Sequence, residues 1–117
     1  MTHVPYIQIA ETIKNEILIG NLKESEQAPS TNQFASLYQI NPATARKGLN
    51  FLVDEGILYK KRGLGMFVKE DSKDVILKKR QEIFFNDTLP EILKEAERLS
   101  ISMEKIIYYI EKEGGRQ

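Results

Sequence analysis

Two closely spaced helix starts constrain the fold of this chain more than any other feature. Ser30 is followed three residues later by Gln33, the capping-box pattern in which each side chain satisfies a free backbone N–H of the other residue. Asn41 is followed by Pro42, which pairs a favoured cap residue with a favoured first helical residue. The first of these helices can therefore span only about two turns. Gly56 is placed to end the second helix.

Each predicted helix has one apolar face. A further helix is predicted from Tyr6 to Ile19, because Pro5 precedes it and Gly20 follows it. Apolar residues recur along that helix at helical spacing, namely Tyr6, Ile9, Ala10, Ile13 and Ile17. The next helix has an apolar face about two turns long, formed by Phe34, Ala35, Leu37 and Tyr38. The predicted buried face of the third helix is Ala45, Leu49, Leu52 and Val53.

A β-hairpin is predicted directly after these helices. Residues 57–61 and 66–69 favour strands, and they flank a turn, Arg62–Gly65, whose glycines permit the positive φ angles of a tight hairpin. Three helices followed by a hairpin predict a winged helix-turn-helix domain. We assign residues 1–70 to this domain, so the fold is expected to be mainly α with a small β-hairpin.

Residues 71–117 are predicted to form a helical dimerisation region. Pro90 is expected to kink or break a helix near residues 87–89, and Ser102 is expected to cap the last helix. A small winged helix offers too little surface to cover the apolar residues of these helices. We therefore predict that a second copy of the chain covers them. The predicted interface residues are Leu89, Ile92, Leu93, Ala96, Leu99, Ile106, Ile107 and Ile110.

Composition argues against several other classes of protein. The chain has no cysteine, and its one histidine, His3, is predicted to be neither a ligand nor a catalyst. No nucleophile with a nearby base, no metal cluster and no phosphate-binding loop is visible, so we expect no enzyme activity, metal or cofactor. No apolar run reaches the length of about 18 residues that spans a bilayer, so a cytoplasmic location is expected. The helices after residue 73 are too few to enclose a small-molecule effector within one subunit. An effector, whose identity is unknown, would therefore have to bind between subunits.

Positive charge is concentrated locally, although the net charge of the chain is zero. Residues 40–69 contain six basic and two acidic residues, which gives 6 − 2 = +4. Lys60, Lys61 and Arg62 precede the hairpin turn, where they could rest on DNA phosphates or reach the minor groove. Alternatively these charges are merely solvated, and Asn41 and Pro42 merely cap and start a helix.

Residues 5–69 resemble the N-terminal domain of the GntR family of bacterial regulators. The segments that carry the resemblance are Pro5–Ile9, Ala28–Ser30, Asn41–Lys47, Glu55–Leu58 and Arg62–Val68. The Asn-Pro-x-Thr start of the third helix and the short helical tail look most like the YtrA subfamily. Asn32 stands where the family commonly has arginine, and Ala43 stands where the subfamily often has asparagine.

The resemblance implies a sequence-specific DNA-binding transcription regulator. We expect a repressor that binds a palindromic operator as a homodimer and does not engage a membrane. Family contacts come from the starts of the second and third helices and from the wing, which is the hairpin with its turn. The predicted DNA-binding residues are Ser30, Thr31, Asn32, Asn41, Ala43, Thr44, Arg46, Lys47, Lys60, Lys61, Arg62, Gly63 and Gly65. The alternative is a winged-helix scaffold that binds proteins and no DNA.

Overall fold

The computed structural model describes residues 4–115 of the chain, so His3 lies outside the described residues. Its helices and strands are α1 (Pro5–Leu18), α2 (Thr31–Tyr38), α3 (Pro42–Asp54), β1 (Leu58–Lys61), β2 (Gly65–Val68), α4 (Ser72–Ile83), α5 (Leu89–Arg98) and α6 (Met103–Gly114). A π-helical turn, Phe84–Thr88, lies between α4 and α5. Because β1 and β2 pair antiparallel, the expected mainly α fold with a small hairpin is confirmed. No helix within residues 4–115 is long and apolar enough to cross a membrane.

The helix starts lie where the capping residues predict them. Ser30 Oγ accepts a hydrogen bond from the Gln33 backbone N–H at 3.1 Å, and Gln33 Oε1 accepts one from the Ser30 N–H at 2.9 Å. Asn41 Oδ1 accepts a hydrogen bond from the Ala43 N–H at 2.7 Å. Between the two helices, Gln39 has a left-handed φ of 53°, which ends α2 sharply. The residues from Ser30 to Asp54 therefore form a helix-turn-helix.

A close approach of α1 and α3 lies at the centre of the first of two compact units, which ends at Lys79. Gly48 is buried, and a Cβ atom there would lie 2.8 Å from Ile9 Cγ2 and 3.0 Å from the Tyr6 carbonyl oxygen. Only glycine allows the two helices to approach this closely. Val53 is half-buried and packs against this core, whereas Leu37 and Tyr38 on the apolar face of α2 are exposed. The other buried core residues include Ala10, Ile13, Ile17, Phe34, Ala35, Ala45, Leu49, Leu52, Ile57, Leu58, Val68 and Ile76.

Pro90 lies in the second unit, which begins at Arg80. The Leu89 N–H donates to the Phe84 carbonyl oxygen, five residues back, and this wide turn is π-helical. A proline ring clashes with the carbonyl four residues before it in a regular α-helix, and the wider turn accommodates the ring. The interruption falls near the predicted residues, but it is a π-helical turn rather than a break. Ser102 Oγ accepts a hydrogen bond from the Lys105 N–H at 3.2 Å and caps α6, as predicted.

Candidate nucleic-acid interface

Nearly all of the predicted DNA-binding residues are exposed on the first unit. Thr31 and Thr44 are half-buried. The exposed members are Ser30, Asn32, Asn41, Ala43, Arg46, Lys47, Lys60, Lys61, Arg62, Gly63 and Gly65. They come from the start of α2, from the start of α3 and from the wing. Because α3 packs against both α2 and β1, these segments belong to one packed structure.

The exposed start of α3 combines hydrogen-bonding and cationic groups. The predicted capping role of Asn41 is confirmed, since its Oδ1 atom is engaged by the Ala43 N–H. Its side-chain N–H groups are the donors that a base or a phosphate could use. Thr44 and Arg46 follow within the next turn, and Arg46 is exposed. An α-helix with such a start has the size and the chemistry to enter a DNA major groove.

The cations of α3 and the wing differ from the buried lysine of α1. Lys14 is buried, and its Nζ atom lies 2.9 Å from Glu55 Oε1 and 3.9 Å from Glu11 Oε1. Within residues 4–115, no ion pair involves the five exposed cations, which are Arg46, Lys47, Lys60, Lys61 and Arg62. Exposed cations without carboxylate partners can neutralise phosphates without first breaking an ion pair.

Aromatic rings support two of these lysines. Lys47 Nζ lies 4.3 Å from the centre of the Tyr6 ring, and that ring meets Phe51 edge to face at 5.7 Å. Lys61 Nζ lies 4.3 Å from the centre of the Phe67 ring. A cation over an aromatic face is attracted to it, so these lysines are more restricted than free surface lysines. Sequence reasoning missed Tyr6 as a partner of Lys47, because the contact joins residues far apart in the chain.

Alternation along β1 separates the wing lysines. Successive residues of a strand point to opposite faces, so Lys60 and Lys61 lie on different sides of the hairpin. Gly63 and Gly65 have φ angles of 76° and 113°, as the predicted turn requires. Gln27 Nε2 donates a hydrogen bond of 2.7 Å to the Leu64 carbonyl oxygen at the tip. No sequence spacing signals this contact.

Large apolar side chains remain exposed in the second unit. Ile92 is 51% exposed, Leu99 62%, Ile107 47% and Ile110 60%. Of the other predicted interface residues, Ala96 is buried and the half-buried ones are Leu89, Leu93 and Ile106. Large apolar side chains mark an interaction site where they form a contiguous exposed patch. No group of three or more His, Cys, Asp or Glu side chains that could hold a metal occurs within residues 4–115.

Comparison with known proteins identifies a matching family and relatives that are similar in sequence. The family model described as "Bacterial regulatory proteins, gntR family" matches residues 5–68. The HTH-type transcriptional repressor YtrA of Bacillus subtilis is 26% identical over 92% of this chain and 82% of its own length. The HTH-type transcriptional repressor NagR of Bacillus subtilis is 36% identical over 62% of this chain and 30% of its own length. The chain therefore spans less than a third of NagR but most of YtrA.

Solved structures with the same fold cover different parts of the chain. A putative transcriptional regulator of the GntR family from Bacteroides thetaiotaomicron matches with a TM-score of 0.79 and 29% identity, over 96% of this chain and 97% of its own. AraR(DBD) in complex with an operator matches with a TM-score of 0.52 and 31% identity, over 55% of this chain and 77% of its own. The first likeness therefore extends through the helices that follow the wing.

Proposed function

The chain belongs to the GntR family of bacterial regulatory proteins, and from that premise we propose that it binds a palindromic operator as a homodimer and represses transcription. It is a DNA-binding transcription regulator rather than an enzyme, as the family is. Repression is proposed because YtrA and NagR are both named repressors. Bacterial DNA lies in the cytoplasm, so the proposed location is cytoplasmic.

One observation carries the proposal of a DNA interface. The exposed cations of α3 and the wing belong to the same packed unit and have no carboxylate partner within residues 4–115. In the proposed complex, the start of α3 enters the major groove, where Asn41, Thr44 and Arg46 face base edges or phosphates. The start of α2 contacts the backbone, and the wing lies on the adjacent phosphates or in the minor groove. The likeness to an operator-bound domain supports DNA binding by the first unit.

The proposed dimer uses the helices that follow the wing. We assign residues 1–70 to DNA binding and residues 71–117 to dimerisation, and the start of α4 also packs into the first unit through the buried Ile76. Exposed side chains such as Ile92, Leu99 and Ile110 would be removed from water against a second copy. A symmetric dimer presents two copies of α3, which matches the symmetry of a palindromic operator with half-sites about 34 Å apart.

Fluorescence anisotropy with a random duplex at several salt concentrations tests whether the protein binds DNA. The proposal predicts binding at low salt that weakens steeply as salt rises, because phosphate contacts release counterions. The variant Lys112→Ala is a control for general loss of positive charge, since Lys112 is exposed on α6 and lies outside the proposed DNA interface. It is expected to retain the salt dependence of the unmodified protein. Failure to bind duplex DNA at low salt would instead favour a protein-interaction scaffold.

A further inference from the structure

We propose that Gln27 is a positioning residue that fixes the wing tip in the conformation that meets DNA. The inference rests on the proposed function, because it concerns how the wing is presented. Gln27 lies in the loop between α1 and α2, outside the segments that sequence patterns associate with DNA contact. Its role follows from its backbone, its side chain and the glycine beside it.

The backbone of residues 25–28 runs alongside β2. Gln27 forms an isolated antiparallel bridge with Phe67. On either side of it, the Ala28 N–H donates to the Met66 carbonyl oxygen at 2.9 Å, and the Val68 N–H donates to the Glu26 carbonyl oxygen at 2.9 Å. The loop is thus paired to the wing as a short third strand, so the position of residue 27 relative to the hairpin is fixed.

The Gln27 side chain reaches from this edge to the turn. Its Nε2 atom donates to the Leu64 carbonyl oxygen at 2.7 Å, while the Leu64 N–H donates to the Lys61 carbonyl oxygen at 2.9 Å. Both backbone polar groups of Leu64 are therefore engaged. Arg62 and Gly63 lie between these anchored residues, and the amide of Gln27 closes the turn from outside the hairpin.

Because Gly65 has no side chain, the Gln27 amide has room beside it. A Cβ atom on residue 65 would lie 3.0 Å from Gln27 Nε2, closer than ordinary van der Waals contact. Residue 65 also has a φ of 113°, which side chains rarely adopt. Glycine at this position therefore permits both the turn and its contact with Gln27.

The functional consequence concerns Arg62. A flexible tip would lose conformational freedom on binding DNA, and that loss opposes association. A tip held by Gln27 has already given up part of that freedom, so Arg62 is presented in a restricted position. Removing the Gln27 donor should weaken DNA binding only to the extent that the wing contributes to it.

The first test measures the tip in the absence of DNA. Gln27→Met keeps the length of the side chain and removes the donor. Gln81→Met is the matched control, because Gln81 is exposed on α4. Hydrogen exchange of the Leu64 amide should accelerate about three- to tenfold in Gln27→Met and stay unchanged in Gln81→Met, as removal of one hydrogen bond implies. An unchanged Leu64 exchange rate in Gln27→Met would overturn the proposal.

The second test is a double-mutant cycle with Arg62→Ala, measured as affinity for a random DNA duplex at low salt. Gln27→Met should weaken binding about three- to tenfold in the unmodified protein and less than twofold in the Arg62→Ala background. An equal factor in both backgrounds would overturn the role of Gln27 in presenting Arg62. Unmodified protein that binds no duplex DNA would overturn the proposed function and this role together, whereas the exchange test would still report on the tip itself.

Discussion

Replacing two exposed isoleucines of α6 should dissociate the proposed homodimer. Ile107 and Ile110 are 47% and 60% exposed in the single chain, and we propose that a partner covers them. The variant carries Ile107→Ser and Ile110→Ser together. Because both side chains are largely exposed, these changes should leave the helices of one chain folded. A change in helical circular dichroism would reveal any damage to α6 itself.

The size of the effect follows from the exposed area. Full burial of an isoleucine side chain contributes about 1.5–3 kcal/mol. Roughly half of each side chain remains to be covered, so each contributes about 0.8–1.5 kcal/mol to association. A symmetric dimer contains both residues twice, and replacing them should cost about 3–6 kcal/mol. That cost corresponds to an increase of about 10²- to 10⁴-fold in the dissociation constant of the dimer.

Sedimentation equilibrium over a range of micromolar concentrations measures that constant. Glu111→Ser is the matched control, because Glu111 is an exposed polar residue of the same helix. We expect the control to remain dimeric and the isoleucine variant to sediment as a monomer. An unchanged dissociation constant in the isoleucine variant, or a monomeric unmodified protein at these concentrations, would refute the interface.

Other substitutions test the DNA interface and the core. Arg46→Ala should weaken operator binding by about 1–3 kcal/mol in anisotropy measurements, and unchanged affinity would remove Arg46 from the interface. Replacing the three wing cations, Lys60, Lys61 and Arg62, by alanine should weaken binding to operator and to random duplex alike. The slope of affinity against salt should fall by about one unit for each phosphate that they neutralise. An unaltered slope would show that they neutralise none. Gly48→Ala should lower the free energy of unfolding by about 1–3 kcal/mol in urea, because its Cβ would lie 2.8 Å from Ile9 Cγ2. A stability equal to that of the unmodified protein would show that α1 and α3 separate at little cost.

Local signals in the sequence predicted the helix-turn-helix well. The side-chain caps at Ser30 and Asn41 act on backbone groups two or three residues away, so the interaction and its sequence pattern are equally local. The wing turn followed from its glycines for the same reason. The effect of Pro90 was predicted in position but not in form, since a proline can be accommodated by a break, a kink or a wider turn.

The contacts that position the candidate site could not be read from the sequence. Gln27 meets Leu64 across 37 residues, and Tyr6 meets Lys47 between two helices that are distant along the chain. No periodicity relates such residues, because their proximity depends on the packing of the whole unit. The exposed cations were identifiable from the residue types alone, whereas the rings and the amide that restrain them required the fold.

Selection of bound sequences from a randomised duplex library tests the central claim most directly. Sequencing the recovered DNA shows whether the protein reads base sequence and whether it reads a symmetric site. Operator binding by a homodimer predicts an enriched inverted repeat whose half-site centres are about 10–10.5 base pairs apart, or a multiple of that spacing. Recovery of duplexes with no common sequence, or of a single half-site without a symmetric partner, would contradict the account.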